Sequence, residues 1–208
     1  MTQALAGFNE HGLILATDSL ATSFDEAGTP GYFNVEKLFP LSRFCAILSG
    51  GAGLSIPLSQ ALRQEVARRR GLEDIEELVD FSQPFLSRAY ARHLAEHGPG
   101  LEGLERVYFI LAGYSPHLPP PGYLLSLLGS EEGEPLHVMP VGNVIVMPRH
   151  LGMEMRLFKA LAAGADMEEL LNASKEFLEK MALTKEEVGP PFYYATITPE
   201  GYRQVEVN

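Results

Sequence analysis

The chain has 208 residues, of which 46% are hydrophobic and 21% are charged, which is typical of a globular protein with one well-buried core. A formal net charge of −11 argues against nucleic acid or an anionic membrane as a partner. One cysteine, Cys45, excludes a disulfide framework within the chain and agrees with a reducing compartment.

No apolar run of the sequence is long enough to span a membrane, and the N-terminal stretch has no basic cluster followed by a long apolar segment. We therefore expect a cytoplasmic protein with a single domain over residues 1–208.

The first predicted element is a β-hairpin. Apolar runs at residues 2–8 and 13–18 flank the polar sequence Asn9-Glu10-His11-Gly12, which is typical of a turn. With the turn centred near Glu10, the numbers of cross-strand partners would add up to about 20. Thr2 would then lie opposite Asp18.

The middle of the chain predicts a loop, a strand, two helices and two strands. Residues 24–31 are rich in glycine, proline and acidic side chains and predict a loop, and residues 44–48 predict a buried strand. Apolar spacing predicts one helix from Ser55 and a second within residues 72–97, where Pro84 predicts a kink or restart. Gly98-Pro99-Gly100 would end that helix, and strands are predicted at 107–114 and 123–128.

The last third predicts a strand, a second helix pair and a closing hairpin. Residues 131–134 predict a turn, and residues 136–147 predict a strand that leads into a bend. Leu151 begins one helix, and Asp166 with Glu169 forms a capping box for the next. Residues 192–198 and 202–207 predict the hairpin. Strands in hairpins and helices in pairs favour an α+β fold with antiparallel sheets.

Thr2 is a candidate N-terminal nucleophile. Removal of Met1 would leave Thr2 with both a hydroxyl and a free α-amine, whose reference pKa of about 7.7–8.0 allows it to act as a base near neutral pH. A nearby lysine would help to stabilise the alkoxide, and a carboxylate would keep that lysine charged. Lys37 and Asp18 are the candidates for these two positions.

Several segments together resemble a proteasome β-type subunit, that is, a bacterial proteasome-like hydrolase of the N-terminal nucleophile class. They are Thr2, Leu15-Ala16-Thr17-Asp18-Ser19-Leu20-Ala21-Thr22, Glu36-Lys37-Leu38-Phe39, Ile47-Leu48-Ser49-Gly50-Gly51, Leu111-Ala112-Gly113-Tyr114 and residues 195–202. The order and spacing of these segments agree with the family over nearly the whole chain.

The resemblance implies a four-layer αββα sandwich and a threonine peptidase. It implies that Thr2 is the nucleophile and base, that Lys37 supports it electrostatically and that Asp18 orients Lys37. It also implies that the Gly50 amide stabilises the oxyanion and that Thr22 and Ser49 contact the substrate. No cofactor and no metal is implied.

The implied partners are a peptide or unfolded-protein substrate, further copies of the chain in a homo-oligomeric ring, and an ATP-dependent unfoldase. We expect Leu58, Leu62, Tyr90 and Leu94 to supply the apolar surface between rings. The alternative is a catalytically inactive ring subunit that keeps the fold and the assembly.

Three departures from the family pattern concern the surroundings of the site. Leu20 stands where the family usually has an arginine, and Gly142-Asn143-Val144 stands where a Gly-Ser segment usually supports the N-terminal amine. Lys185-Glu186-Glu187-Val188-Gly189 replaces a segment with an aspartate and a serine. Each departure predicts a slower enzyme.

Two other motifs predict different chemistry. His93-Leu94-Ala95-Glu96-His97 matches the H-x-x-E-H zinc motif, although a polar end of a helix explains the same residues. Gly50-Gly51-Ala52-Gly53 before a helix suggests phosphate binding. It lacks the Gly-Lys-Ser/Thr ending of a P-loop, so we favour a tight strand-to-helix turn.

Overall fold

The computed structural model describes residues 2–25, 27–97, 106–130 and 136–207. Within these residues the fold is α+β, with antiparallel sheets and helices that follow one another in pairs. The strands are β1 (Ala4–Asn9), β2 (Gly12–Thr17), β3 (Leu20–Phe24), β4 (Pro30–Asn34), β5 (Leu38–Pro40), β6 (Cys45–Gly51), β7 (Val107–Tyr114), β8 (Tyr123–Gly129), β9 (His137–Met139), β10 (Val144–Met147), β11 (Tyr193–Thr198) and β12 (Gly201–Val205). The helices are α1 (Ser55–Arg68), α2 (Ile75–His97), α3 (Leu151–Ala162) and α4 (Met167–Thr184).

The strands form two five-stranded sheets and one separate ribbon. The first sheet has the order β10-β1-β2-β11-β12, and the second has the order β5-β6-β7-β8-β9. Strands β3 and β4 pair only with each other among the described strands. The ribbon therefore leaves the first sheet directly after β2.

Three clusters of apolar side chains hold the described elements together. Helices α1 and α2 pack on the second sheet, where the cluster includes Leu62, Tyr90 and Phe109. Helices α3 and α4 pack on the first sheet through residues such as Leu157 and Leu178. The middle cluster joins side chains from both five-stranded sheets. Burial of these apolar surfaces is the main stabilising term of the fold.

Most predicted helices and strands are observed, and the capping box of Asp166 and Glu169 at the start of α4 is confirmed. Helix α2 continues through Pro84 without interruption. The loop predicted at 24–31 is wrong in part, since β3 and β4 extend into it from both sides. The strand predicted to lead into a bend within 136–147 is observed as β9, but the prediction misses β10, which follows the bend and belongs to the other sheet. The predicted helix end at 98–100 and turn at 131–134 lie outside the described residues.

The first hairpin is formed, but its register differs from the prediction by one residue. Asn9 pairs with Gly12 and Ala4 pairs with Thr17, so the turn contains only two residues between the paired positions. Continued in this register, Gln3 faces Asp18 and Thr2 faces Ser19. The prediction that Thr2 lies opposite Asp18 is therefore wrong. A register shift of one residue changes which side chains share a face of the hairpin, because successive side chains of a strand point to opposite faces.

The residues predicted to supply an apolar surface between rings do not form an exposed surface. Leu58, Leu62 and Tyr90 are buried inside the cluster beneath α1 and α2, and Leu94 packs against the same cluster. Exposed apolar side chains lie instead on other elements. They include Tyr32, Phe33, Val138, Leu151, Met155, Phe158 and Leu183. No helix among the described residues is long and apolar enough to cross a membrane.

Candidate active site

A buried ion pair lies at the end of β2. The Lys37 Nζ is 3.0 Å from the Asp18 Oδ1, and Asp18 and Lys37 are 0% and 2% exposed. Lys37 directly precedes β5, and Asp18 directly follows β2. The two five-stranded sheets therefore each contribute one partner, so the pair forms only when the sheets are packed together.

The carboxylate of Asp18 is held by backbone amides as well as by Lys37. Its Oδ1 accepts from the Gln3 amide at 2.9 Å, and its Oδ2 accepts from the Leu20 amide at 3.1 Å. The Asp18 amide in turn donates to the Gln3 carbonyl at 3.1 Å. Since Oδ1 accepts from both Gln3 and Lys37, the ammonium lies close to the amide of the residue that follows Thr2.

Leu20 supports Lys37 through its backbone. The Lys37 ammonium donates to the Leu20 carbonyl at 2.7 Å, in addition to its bond with Asp18. An ammonium has three N–H donors, and these two are the hydrogen bonds of the ammonium among the described residues. The Leu20 amide and carbonyl thus hold both members of the pair, whatever the side chain at this position.

Burial opposes the charged forms of both partners. Desolvation raises the pKa of the Asp18 carboxyl above its ordinary value, although the charge of Lys37 and the amides of Gln3 and Leu20 act in the opposite direction. Desolvation lowers the pKa of the Lys37 amine, and the charge of Asp18 opposes this shift. Buried groups with shifted pKa values and a specific charged partner are typical of functional sites.

Thr2 lies against β6 at the rim of a small cavity. It is 8% exposed, and a Cβ added to Gly50 would lie 3.2 Å from the Thr2 Cβ and 3.6 Å from its Oγ1. Glycine at position 50 therefore leaves the space that the Thr2 side chain occupies. The adjoining cavity has a volume of about 40 Å³ and is lined by Thr2, Ala4, Leu48, Ser49, Gly50, Gly51, Tyr108, Ile110, Met147 and Pro148.

The direction of the β6 amides favours Gly51 over Gly50 as an oxyanion donor. The Ser49 amide donates to the Lys37 carbonyl at 2.9 Å, and the Ala52 amide donates to the Arg106 carbonyl at 2.7 Å. Amides alternate in direction along a strand, so the Gly50 amide faces β7, where Gly50 pairs with Tyr108. The Gly51 amide then faces the opposite side, away from β7 and beyond the first residue of β5.

The two residues expected to contact substrate have different surroundings. Ser49 is buried, and both its amide and its hydroxyl donate to the Lys37 carbonyl, at 2.9 and 3.3 Å. Thr22 is half-buried in the β3–β4 ribbon, where it pairs with Tyr32. Ser49 thus helps to position Lys37, and Thr22 lies in the ribbon that starts two residues after Asp18.

The segment expected to hold the N-terminal amine lies elsewhere. Asn143 is bonded to Phe8, at the far end of β1. Because β1 and β10 are antiparallel and Ala4 pairs with Met147, the residues next to the start of β1 are Met147 and Pro148, whose carbonyls accept from the Gln3 side chain. Residues 142–144 are therefore not the counterpart of the family's Gly-Ser segment at the N-terminal amine. Met147 and Pro148 lie beside Thr2 in its place.

Gly189, the last residue of the segment 185–189, contacts the residues that follow Asp18. The Ser19 amide donates to the Gly189 carbonyl at 3.3 Å, and a Cβ at Gly189 would lie 3.3 Å from Leu20 Cδ2. The neighbours that the sequence interpretation missed are Gln3, the backbone of Leu20, and Gly51. A two-residue turn in the first hairpin would have pointed to Gln3.

The competing motifs gain no support. No group of three or more His, Cys, Asp or Glu side chains that could hold a metal ion occurs among the described residues, and the side chain of His97 is not among those described. Gly51 has a positive φ of 86°, as a tight strand-to-helix turn requires. No protein-family model matches the chain, and no curated protein matches it, so the proposals below depend on the geometry of this site.

Proposed function

We propose that this protein is a threonine peptidase of the N-terminal nucleophile class, with Thr2 as the nucleophile after removal of Met1. The observation that carries the proposal is the buried Lys37–Asp18 pair, which is bonded to neighbours of Thr2. Asp18 accepts from the Gln3 amide, and the Lys37 carbonyl accepts from Ser49, which lines the same cavity as Thr2. A buried ion pair is rarely an advantage for stability, because the desolvation of both charges offsets their attraction. The Asp18 carboxylate accepts from the amide of Gln3, the residue that follows Thr2, and this link to the N-terminal segment gives the pair a chemical use.

We further propose that the fold is the four-layer αββα sandwich of that class, as found in proteasome β-type subunits. Supporting this, one core cluster is shared by the two sheets, and each of the other two clusters joins one sheet to one helix pair. The first hairpin, the lysine before β5 and the glycines at the end of β6 also support the proposal, because the resemblance includes these segments.

In the proposed reaction, the Thr2 hydroxyl attacks the scissile carbonyl and its proton passes to the Thr2 α-amine. Lys37, held by Asp18 and by the Leu20 carbonyl, stabilises the alkoxide with its positive charge. The Gly51 amide donates to the oxyanion. The protonated α-amine then gives its proton to the leaving amine, which leaves an ester on Thr2. Water hydrolyses this ester and restores the hydroxyl.

A second candidate is a catalytically inactive ring subunit. Met147 and Pro148 favour it, since they stand beside the start of β1 and offer no side-chain hydroxyl there. In either case we propose assembly into a closed homo-oligomeric ring. Leu151, Met155 and Phe158 give α3 an exposed apolar face for that contact. The proposed partners of the catalytic form are a peptide or unfolded-protein substrate and an ATP-dependent unfoldase.

The test begins with the intact mass of the protein from its native host, which reports whether Met1 is removed. Protein without Met1 is then assayed with a panel of fluorogenic peptides. We expect Thr2→Ala to abolish hydrolysis and Thr2→Ser to retain part of it, because a hydroxyl is the reacting group. Thr29→Ala, at an exposed threonine, serves as the matched control and should remain fully active.

Hydrolysis that persists in Thr2→Ala would place the reaction at another site. Absence of both turnover and covalent adduct with a threonine-directed inhibitor, in protein known to lack Met1, would favour the inactive ring subunit. Sedimentation of the same samples measures the assembly separately, and a 22.8 kDa monomer at micromolar concentration would contradict the proposed ring.

A further inference from the structure

We infer that the cavity beside Thr2 is a subsite for one small aliphatic side chain of the substrate, directly next to the scissile bond. This inference rests on the proposed function. Apart from Thr2 and the residues 49–51, the cavity is lined by Ala4, Leu48, Tyr108, Ile110, Met147 and Pro148. Five of these residues lie in four strands of the two five-stranded sheets, and Pro148 follows β10 directly.

The chemistry of the walls excludes charged side chains. No lining residue carries a charge, and Ala4, Leu48, Ile110 and Tyr108 belong to the apolar cluster between the sheets. Placing an ionised group there would leave it without a partner, which is strongly unfavourable. An aliphatic group would instead replace water at an apolar surface, which is favourable.

The size of the cavity limits the side chain to a small one. A volume of about 40 Å³ exceeds the roughly 10–15 Å³ that a water molecule requires and is about a quarter of the roughly 150 Å³ of a cavity that holds benzene. Alanine and valine side chains match this size, whereas phenylalanine and tyrosine do not.

Two observations distinguish the cavity from a gap in the packing. Its rim includes Thr2, so a group inside it lies next to the proposed nucleophile. It also reaches the surface, because Gly51 is exposed and Tyr108, Met147 and Pro148 are only half-buried. A substrate side chain can therefore enter while the adjoining carbonyl stays near Thr2 and the Gly51 amide.

The test is a cleavage-site profile. Protein without Met1 digests a denatured substrate protein, and mass spectrometry identifies the residues on both sides of every cut bond. We expect alanine and valine to be enriched at one of the two flanking positions. Synthetic peptides that differ only at that position then give kcat/KM for alanine, valine, leucine and phenylalanine.

Variants at Tyr108 test the cavity directly. Tyr108→Leu removes wall volume and should shift the preference toward leucine and phenylalanine by at least about tenfold in kcat/KM, the usual effect of one methylene in an apolar pocket. Tyr108→Phe keeps the ring and should keep the original preference. Phe8→Leu is the matched control, because Phe8 is a half-buried aromatic of the same cluster that does not line the cavity. Ile110→Val replaces Tyr108→Leu if that variant does not fold.

A preference for large or charged residues at both positions would overturn the inference, and so would an unchanged profile in the enlarged variants. A second measurement does not depend on activity. Crystals under xenon pressure should show a xenon atom beside Thr2, since apolar cavities bind it. A cavity without xenon would overturn the subsite even in an active enzyme. Xenon in a protein that cleaves no peptide would instead contradict the proposed function and leave the cavity as an accessible apolar site.

Discussion

Replacement of Lys37 by methionine tests the buried ion pair most directly. Methionine keeps an unbranched apolar chain of similar length, so the main change is the loss of the positive charge next to Asp18. The two side chains are 3% and 0% exposed, and removal of one partner of a buried pair typically costs about 3–5 kcal/mol. The Gln3 and Leu20 amides still donate to Asp18, so we expect about 3 kcal/mol of lost unfolding free energy at pH 7.

The loss should depend on pH in a defined direction. Lys37 lowers the pKa of Asp18, against the raising effect of burial, so its removal raises the folded-state pKa of Asp18 further. A carboxyl whose pKa is higher in the folded state than in the unfolded state binds its proton more tightly when folded. Such a group destabilises the fold progressively as pH rises from the unfolded pKa through the folded one. The deficit of Lys37→Met should therefore be largest at neutral pH and should shrink as the pH approaches 3.8, the ordinary pKa of the carboxyl.

Urea unfolding at a series of pH values measures this deficit. Lys180→Met is the matched control, because Lys180 is exposed on α4 and its replacement should change stability by no more than about 0.5 kcal/mol. A loss below about 1 kcal/mol at pH 7, as is typical of exposed ion pairs, would refute the argument that the pair is buried and coupled. A deficit that grows toward acid pH would refute the assigned direction.

Two further predictions concern the first and last residues of β6. Gly51→Ala should destabilise the protein by about 1–3 kcal/mol or more, because φ of Gly51 is +86° and the new Cβ would lie 2.1 Å from the Arg106 carbonyl oxygen. Gly53→Ala is the control: no described atom lies within 4 Å of its new Cβ, so it should be nearly neutral in the same urea assay. Cys45 is buried, and desolvation is the main reason that its pKa is raised to about 12. Iodoacetamide at pH 8 should therefore label Cys45 only when the protein unfolds. Rapid labelling of the native protein would contradict this prediction.

The sequence predicted much of the fold because its local signals are strong. Periodic apolar residues located the four helices of the described residues, and Asp166 with Glu169 located the start of α4. The errors lie where pairing over long distances decides the outcome. Residues 136–147 predict one strand that leads into a bend, but β9 pairs with β8 in one sheet and β10 pairs with β1 in the other. Nothing local in those residues reveals the change of sheet.

The candidate site was accessible from the sequence only in part. The proximity of Lys37 and Asp18 followed from the family resemblance, and the structure places them 3.0 Å apart. Their surroundings depend on register, which a pattern of apolar residues determines only to within a residue. A shift of one residue in the first hairpin brought Gln3 opposite Asp18, and the alternation of amides along β6 directs the Gly50 amide toward β7 and the Gly51 amide away from it.

The double variant Asp18→Asn/Lys37→Met separates a chemical role of the ion pair from a structural one. Each single change leaves a buried charge without its partner, whereas the double variant leaves none, and the asparagine oxygen can still accept from the Gln3 or Leu20 amide. Replacement of a whole buried pair is often neutral or stabilising. We therefore expect the double variant to lie within about 1 kcal/mol of the wild-type protein, with the assembly intact and peptide hydrolysis abolished. If the double variant instead loses as much unfolding free energy as the two single variants added together, the ion pair stabilises the fold. An inactive ring subunit would retain the pair for that reason.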